Sequence, residues 1–221
     1  MRFDLYTTIH KAQREHLYKI SMRIAKADFS DSIQASSIKK DVEKMIKHLK
    51  KHAENEDNFI HPLFHVCKDK CDLLESQHTT IEALLEELKE LINSDNLDQL
   101  YPLFNRLIAM YLTHTDLEET LQKEILWNHY SDEELKEVIT KFLQSLSLEK
   151  TVEDMEFMLP CLSVTEVCKI LMSMQNAPMS LLQKVSLIVE KAFSNSDWEQ
   201  IKLNCFGGDQ DIGVFNKVLL E

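Results

Sequence analysis

The chain has 221 residues and a formal net charge of −12, and a surface this negative repels phosphate backbones, which argues against nucleic-acid binding. It holds only 3 glycines and 4 prolines, which disfavours a fold built from many hairpins. The scarcity of these turn formers favours long helices, so we expect an all-α protein. Because hydrophobic residues make up 44% of the chain, we expect it to fold rather than to stay disordered.

The first predicted helix covers about residues 3–28, and apolar side chains recur every three or four positions along it. His10 lies on this apolar stripe. A polar stretch follows at residues 28–37, and the second predicted helix then repeats the same rhythm. It carries His52 and Glu56 on its stripe. Both helices therefore direct polar side chains toward the interior of the fold.

The third and fourth predicted helices continue this pattern. The third carries His78 on its apolar stripe and ends in the polar residues 93–96. The fourth carries His114 and Glu118, with Pro102 near its start, where a proline is tolerated. Four long amphipathic helices joined by short polar links predict an up-down-up-down four-helix bundle over residues 1–130.

The sequence changes character after residue 130. Ser131 and Glu134 form a capping box that begins a new helix. Further helix starts are predicted at Thr151 with Asp154, Ser163 with Glu166, and Ser196 with Glu199. The pair Gly207 and Gly208 interrupts the last helix. We expect residues 131–221 to form a second domain, a helical extension packed on the bundle.

Six polar residues interrupt the apolar stripes, and helix geometry brings them to one height. Glu56 lies roughly ten residues before the turn between the second and third helices and His78 roughly ten after it, so at about 1.5 Å per residue the two are level. The remaining ones fall at the same end of the bundle. The layer contains His10, His52, Glu56, His78, His114 and Glu118.

This layer has the donors of a metal site. His52 with Glu56, and His114 with Glu118, are i, i+4 pairs that share a helix face. Imidazole nitrogens and carboxylate oxygens together suit iron, manganese or zinc. Without a cation, two buried carboxylates would each cost several kcal/mol. One such pair arises easily by chance and one such histidine is usually a core residue, but four in one layer favour the metal site.

The same residues resemble the hemerythrin-like (HHE cation-binding) family. The matching stretches are Ile9 to Arg14, His52 to Pro62, His78 in its helix, and His114 to Glu119. Two later stretches are similar to a longer bacterial subgroup with a helical C-terminal extension: Leu126 to Leu135 and Met158 to Leu162. The resemblance implies a non-haem di-iron centre, with or without an oxo or hydroxo bridge. It implies terminal histidines (His10, His52, His78 and His114) and two bridging glutamates (Glu56 and Glu118), and zinc or manganese also suits these donors.

One position departs from the family. Its oxygen carriers have a further histidine one turn before the position of His78, where this chain has Leu74 and Glu75. Either Glu75 is an additional metal ligand or the coordination position is open, and both outcomes argue against simple reversible oxygen carriage. His61 lies off the metal face of the second helix by helical phase, so we expect it to pack or to support a ligand.

The leading interpretation is a di-iron protein that binds or senses oxygen, a related diatomic or peroxide ligand, or iron itself, rather than an enzyme. A di-iron oxidase or peroxidase is the alternative, although ferritin-like oxidases need two ExxH pairs and this chain has one, Glu75 to His78. A helical interaction module with a structural metal or none is the third interpretation.

The sequence also predicts the cellular compartment of the protein. The first ten residues carry no apolar run typical of a signal peptide, and no stretch reaches the roughly 18 apolar residues of a membrane span. The 5 cysteines form no CxxC pair. These features predict a protein of the reducing cytoplasm with no membrane segment.

Overall fold

The computed structural model describes residues 2–94, 96–174 and 177–206. Over these residues the chain is helical, with no β-strand, which confirms the predicted all-α class. The first four helices are α1 (Thr7–Ala25), α2 (Ser32–Phe59), α3 (Lys68–Ile92) and α4 (Leu100–Leu121). The later ones are α5 (Trp127–His129), α6 (Asp132–Gln144), α7 (Leu148–Met158), α8 (Val164–Ser173), α9 (Met179–Ala192) and α10 (Asn195–Phe206). None of these helices combines the length and the hydrophobicity that crossing a bilayer demands.

The first four helices form the predicted bundle. Helix α1 packs on α2 and on α4, and α3 packs on the same two neighbours. The apolar stripes read from the sequence face inward, and the side chains at their centre are fully buried, including Leu17, Leu49, Leu85 and Leu107. Burying these stripes, rather than helix propensity, stabilises most of the helical structure.

The helix starts have local causes. The side chain of Asp4 accepts hydrogen bonds from the backbone N–H groups of Tyr6 and Thr7, where α1 begins. The side chain of Asp31 accepts from the backbone N–H groups of Ile33 and Gln34 in the first turn of α2. Such bonds satisfy amide groups that have no partner inside the helix.

The segment before α1 closes one end of the bundle. The backbone N–H of Leu5 donates to Gln122 Oε1 at 2.6 Å, and Trp127 Nε1 donates to the Phe3 carbonyl at 2.8 Å. Apolar side chains from the residues before α1, from the loop after α2 and from the residues after α4 form one cluster there. The polar layer predicted from the sequence lies next to this apolar cluster, because the cluster member Tyr6 stacks on His10.

The chain divides into two compact units, residues 1–142 and residues 143–221. The predicted boundary at residue 130 lies inside the first unit, because α6 belongs to that unit as far as residue 142. The reason is that Leu135 of α6 is buried in the apolar cluster at the end of the bundle. Asp132 also forms an ion pair with Arg2, with 2.7 Å between Oδ1 and Nε.

The second unit has its own core, formed by side chains such as Val167, Val185 and Ile201. The predicted capping box of Ser163 and Glu166 is present at the start of α8. Two other predicted starts are wrong by a few residues, because serines just upstream serve as caps. Ser147 accepts from Lys150 N before α7, and Ser194 accepts from Asp197 N before α10. The predicted interruption at Gly207 and Gly208 lies outside the described residues.

Candidate metal centre

Four helices bring the six residues of the predicted layer together. Helix α1 contributes His10, α2 contributes His52 and Glu56, α3 contributes His78, and α4 contributes His114 and Glu118. The two glutamates are 1% and 0% exposed, and the histidines are buried apart from a partly exposed edge of His52. Two ionisable carboxyl groups therefore lie inside the bundle, surrounded by imidazole rings.

Each oxygen of Glu56 faces a different group of histidines. Its Oε1 lies 2.9 Å from His52 Nε2 and 3.5 Å from His10 Nε2. Its Oε2 lies 3.5 Å from His78 Nε2 on the other side. A carboxylate in this position has one oxygen available to each of two cations.

Glu118 also contacts several histidines, and its Oε2 faces two of them at once. Its Oε1 lies 3.0 Å from His61 Nε2, and its Oε2 lies 3.3 Å from His10 Nε2 and 3.3 Å from His114 Nε2. His78 and His114 meet through their Nε2 atoms at 2.9 Å. The layer thus has a pair of histidines on one side, His10 and His52, and three histidines on the other.

Outer partners orient three of the rings. His10 Nδ1 lies 3.1 Å from Glu119 Oε1, His78 Nδ1 lies 3.0 Å from Asp57 Oδ1, and His114 Nδ1 lies 3.0 Å from Gln77 Oε1. With Nδ1 engaged on the outside, Nε2 is left facing the glutamates. Metal-binding histidines in proteins characteristically use their second nitrogen in this way.

Several of the facing atoms are buried without a properly aligned hydrogen bond within the described part of the chain. They are His10 Nε2, His52 Nε2, both oxygens of Glu56, and Glu118 Oε2. Their mutual distances, from 2.9 to 3.5 Å, suit ion pairs. Buried polar atoms without partners are destabilising, so the donor set fits a cation better than it fits a hydrogen-bonded core.

The donor atoms form two overlapping groups of the size that a metal ion requires. Glu56, His61, His78 and Glu118 each offer an atom, and these atoms lie within 4.8 Å of one another. His10, His52 and Glu56 do the same. Because Glu56 belongs to both groups, the geometry accommodates two cations that share a carboxylate. Mixed nitrogen and oxygen donors suit iron, manganese or zinc.

The pKa values show how the layer balances charge without a cation. Burial raises the pKa of Glu56, but its contacts with His52, His10 and His78 outweigh burial and hold it well below the usual value. Burial lowers the pKa of His10, but contacts with Glu119 and Glu56 raise it to about 9. Burial lowers the pKa of His114 to about 4. A metal ion would take over the role of the histidine protons as the positive charge beside the carboxylates.

The expectation that His61 lies off the metal face is wrong. It assumed that the second helix continues past residue 60, whereas α2 ends at Phe59 and a 3₁₀ turn, His61–Val66, follows. The change of helix type rotates His61 inward, where it is 3% exposed. Its Nδ1 lies 3.1 Å from Asp57 Oδ1 and its ring stacks on that of His78. Pro62 is the sequence signal for this break, because proline favours the first turn of a new helix.

Glu75 is the one predicted ligand that the structure does not bring to the layer. Its side chain is exposed, and its Oε1 lies 3.6 Å from Cys71 Sγ, at the edge of the helix. The residue of that turn which faces the bundle interior is Leu74, which is fully buried. The position one turn before His78 therefore provides an apolar wall and no donor.

Two buried tyrosines, Tyr6 and Tyr111, lie next to the layer. Tyr111 lies near His114, and its hydroxyl donates to Gln13 Oε1 at 2.6 Å. Tyr6 stacks on His10 with 5.2 Å between ring centroids, and its hydroxyl has no hydrogen-bond partner among the described residues. No local pattern in the sequence separates these two tyrosines from ordinary core aromatics.

Comparison with known proteins places the same part of the chain in one family. The family description Hemerythrin HHE cation binding domain matches residues 1–126, which contain α1 to α4 and all the residues of the layer. No curated protein and no solved structure matches the chain. The match covers more than half of the chain and ends shortly before α6.

Proposed function

We propose that this chain, which belongs to the hemerythrin HHE cation-binding family, holds two iron ions without haem and uses them to bind or sense oxygen or a related small oxidant. Binding of a metal cation follows from the family. The identity of the metal, the number of ions and the small ligand are the proposal, and the residues of the buried layer support it.

The position of the two buried glutamates carries the proposal. Glu56 turns Oε1 toward the histidine pair and Oε2 toward the three-histidine side. Glu118 turns Oε1 toward the three-histidine side, and its Oε2 lies 3.3 Å from both His10 and His114. Two cations in this layer would therefore share carboxylate donors, with Glu56 and Glu118 as the bridges. We assign His10 and His52 to one ion and His78 and His114 to the other. His61 joins the second group, since its Nε2 faces Glu118 Oε1 at 3.0 Å.

Iron bound by imidazole and carboxylate groups can change oxidation state and coordinate small ligands. The chain supplies the surroundings that such chemistry needs. The outer carboxylates Glu119 and Asp57 and the amide of Gln77 fix the ring orientations. The apolar cluster at the end of the bundle keeps bulk water away from the layer. Glu75 is not needed in this assignment, because it is exposed.

The protein donors would not fill two octahedral coordination spheres, so bound ions would have positions left for exogenous ligands. This favours a protein that binds a small molecule over one in which the metal is only structural. A di-iron oxidase or peroxidase would use the same residues. Sustained turnover of peroxide by the iron-loaded protein would distinguish that enzyme from a binding or sensing protein.

Metal analysis of the protein from iron-supplemented cultures tests the proposal directly. We expect about two iron atoms per chain, as for other carboxylate-bridged pairs in helical bundles, and a near-ultraviolet charge-transfer band in the oxidised form. Protein that folds but contains no metal under these conditions would refute the site. Zinc or manganese alone would keep the site and remove the oxygen chemistry.

A further inference from the structure

Tyr6 has a feature that the di-iron proposal does not use. The residue lies immediately before α1 and is 1% exposed. Its hydroxyl oxygen is buried and has no hydrogen-bond partner among the described residues. Proteins rarely bury a hydroxyl in this way, because an unpaired donor loses its bonds to water without replacement.

The surroundings of Tyr6 place it at the metal layer. Its ring stacks on that of His10, with 5.2 Å between centroids and 27° between planes. A tyrosine phenol is a hydrogen-bond donor at neutral pH, so Tyr6 places a buried donor beside His10.

Tyr111 provides an internal comparison. It is also buried beside the layer, with 6.4 Å between its ring centroid and that of His114. Its hydroxyl donates to Gln13 Oε1 at 2.6 Å, so the protein itself satisfies it. Both tyrosines are buried, but within the described part of the chain only Tyr111 has a hydrogen-bond partner for its hydroxyl.

We propose that Tyr6 is the hydrogen-bond donor of the ligand pocket, and that its hydroxyl donates to a small anion, of the class of azide or hydroperoxide, held by the metal pair on the His10 side. This inference rests on the proposed di-iron function. The side follows from the histidines, because two lie on the His10 side and three on the other. An ion on the side with fewer protein donors would have more coordination positions open to an exogenous ligand.

Azide binding to the oxidised, iron-loaded full chain tests this role, measured by titration of the azide charge-transfer band. Removing one hydrogen bond to an anion should weaken azide binding in Tyr6→Phe by roughly tenfold, which corresponds to about 1.4 kcal/mol. Tyr111→Phe is the matched control and should bind azide like the wild type. Iron content should be the same in all three proteins.

The metal-free proteins give a second readout that does not depend on iron. Tyr6→Phe should unfold at the same temperature as the wild type or higher, because the lost hydroxyl has no hydrogen-bond partner in the part of the chain that the structure describes. Tyr111→Phe should unfold at a lower temperature, because it leaves Gln13 Oε1 without its donor. Equal losses of stability in the two variants would show that Tyr6 has a protein partner, and would overturn the inference.

The remaining outcomes separate the two proposals. Equal azide affinity in wild type and Tyr6→Phe, with normal iron in both, would overturn the role of Tyr6 and leave the di-iron site intact. Loss of iron from Tyr6→Phe alone would also overturn it, because the phenol would then be part of the site itself. Absence of iron from the wild type would refute the di-iron function and this inference with it.

Discussion

Replacing His61 by leucine is the most direct test of the ligand set, because helical phase alone placed this residue outside it. Leucine is similar in size and has no donor nitrogen, so packing against His78 and Phe64 should largely survive. The substitution removes the contact between His61 Nε2 and Glu118 Oε1 at 3.0 Å. Any loss of metal then reports the nitrogen and not the shape of the side chain.

The expected effect has two parts. Without metal, Glu118 loses a partner at a position where it is 0% exposed, and a buried polar group left unsatisfied costs about 1–3 kcal/mol. In a unit of this size, each kcal/mol lowers Tm by about 2–4 °C. With metal bound, losing a direct donor should weaken iron binding by at least roughly tenfold. Replacing a residue that only hydrogen-bonds to a ligand already weakens metal binding by about that factor.

Competition with a coloured chelator measures the second part, and thermal unfolding of the metal-free protein measures the first. His65→Ala is the matched control, because His65 lies in the same 3₁₀ turn but is exposed. It should hold iron like the wild type. If His61→Leu also holds both iron ions with wild-type affinity, His61 is not a ligand, and its contact with Glu118 only orients the carboxylate.

Two further predictions follow from the same layer. His52→Ala and His114→Ala should each lose iron while keeping most of their helix content by circular dichroism, because the apolar core extends well beyond the layer. The control His16→Ala, outside the layer, should load iron fully. Equal loss of iron in all three variants would refute the assignment. Glu75→Leu should change neither the iron content nor the rate of autoxidation in stopped-flow absorbance, because the Glu75 side chain is exposed; a slower rate would show that its carboxylate acts on the site.

The sequence determined the parts of this protein that depend on one helix at a time. An α-helix has a fixed repeat, so the spacing of His52 and Glu56, and of His114 and Glu118, places each pair on one face. The apolar stripes around them predicted the four-helix bundle, which the structure confirms. The family resemblance read from the same residues is confirmed by the match over residues 1–126.

Only the tertiary structure decided the parts that depend on where a helix ends or on contacts between helices. Because α2 ends at Phe59 and a 3₁₀ turn follows, His61 leaves the phase of α2 and faces Glu118 of α4. The exposure of Glu75 depends in the same way on the rotation of α3. The Tyr6 hydroxyl has no hydrogen-bond partner among the described residues, and this depends on all the side chains that surround it. Such features arise from contacts between residues far apart in the chain, and no local periodicity encodes them.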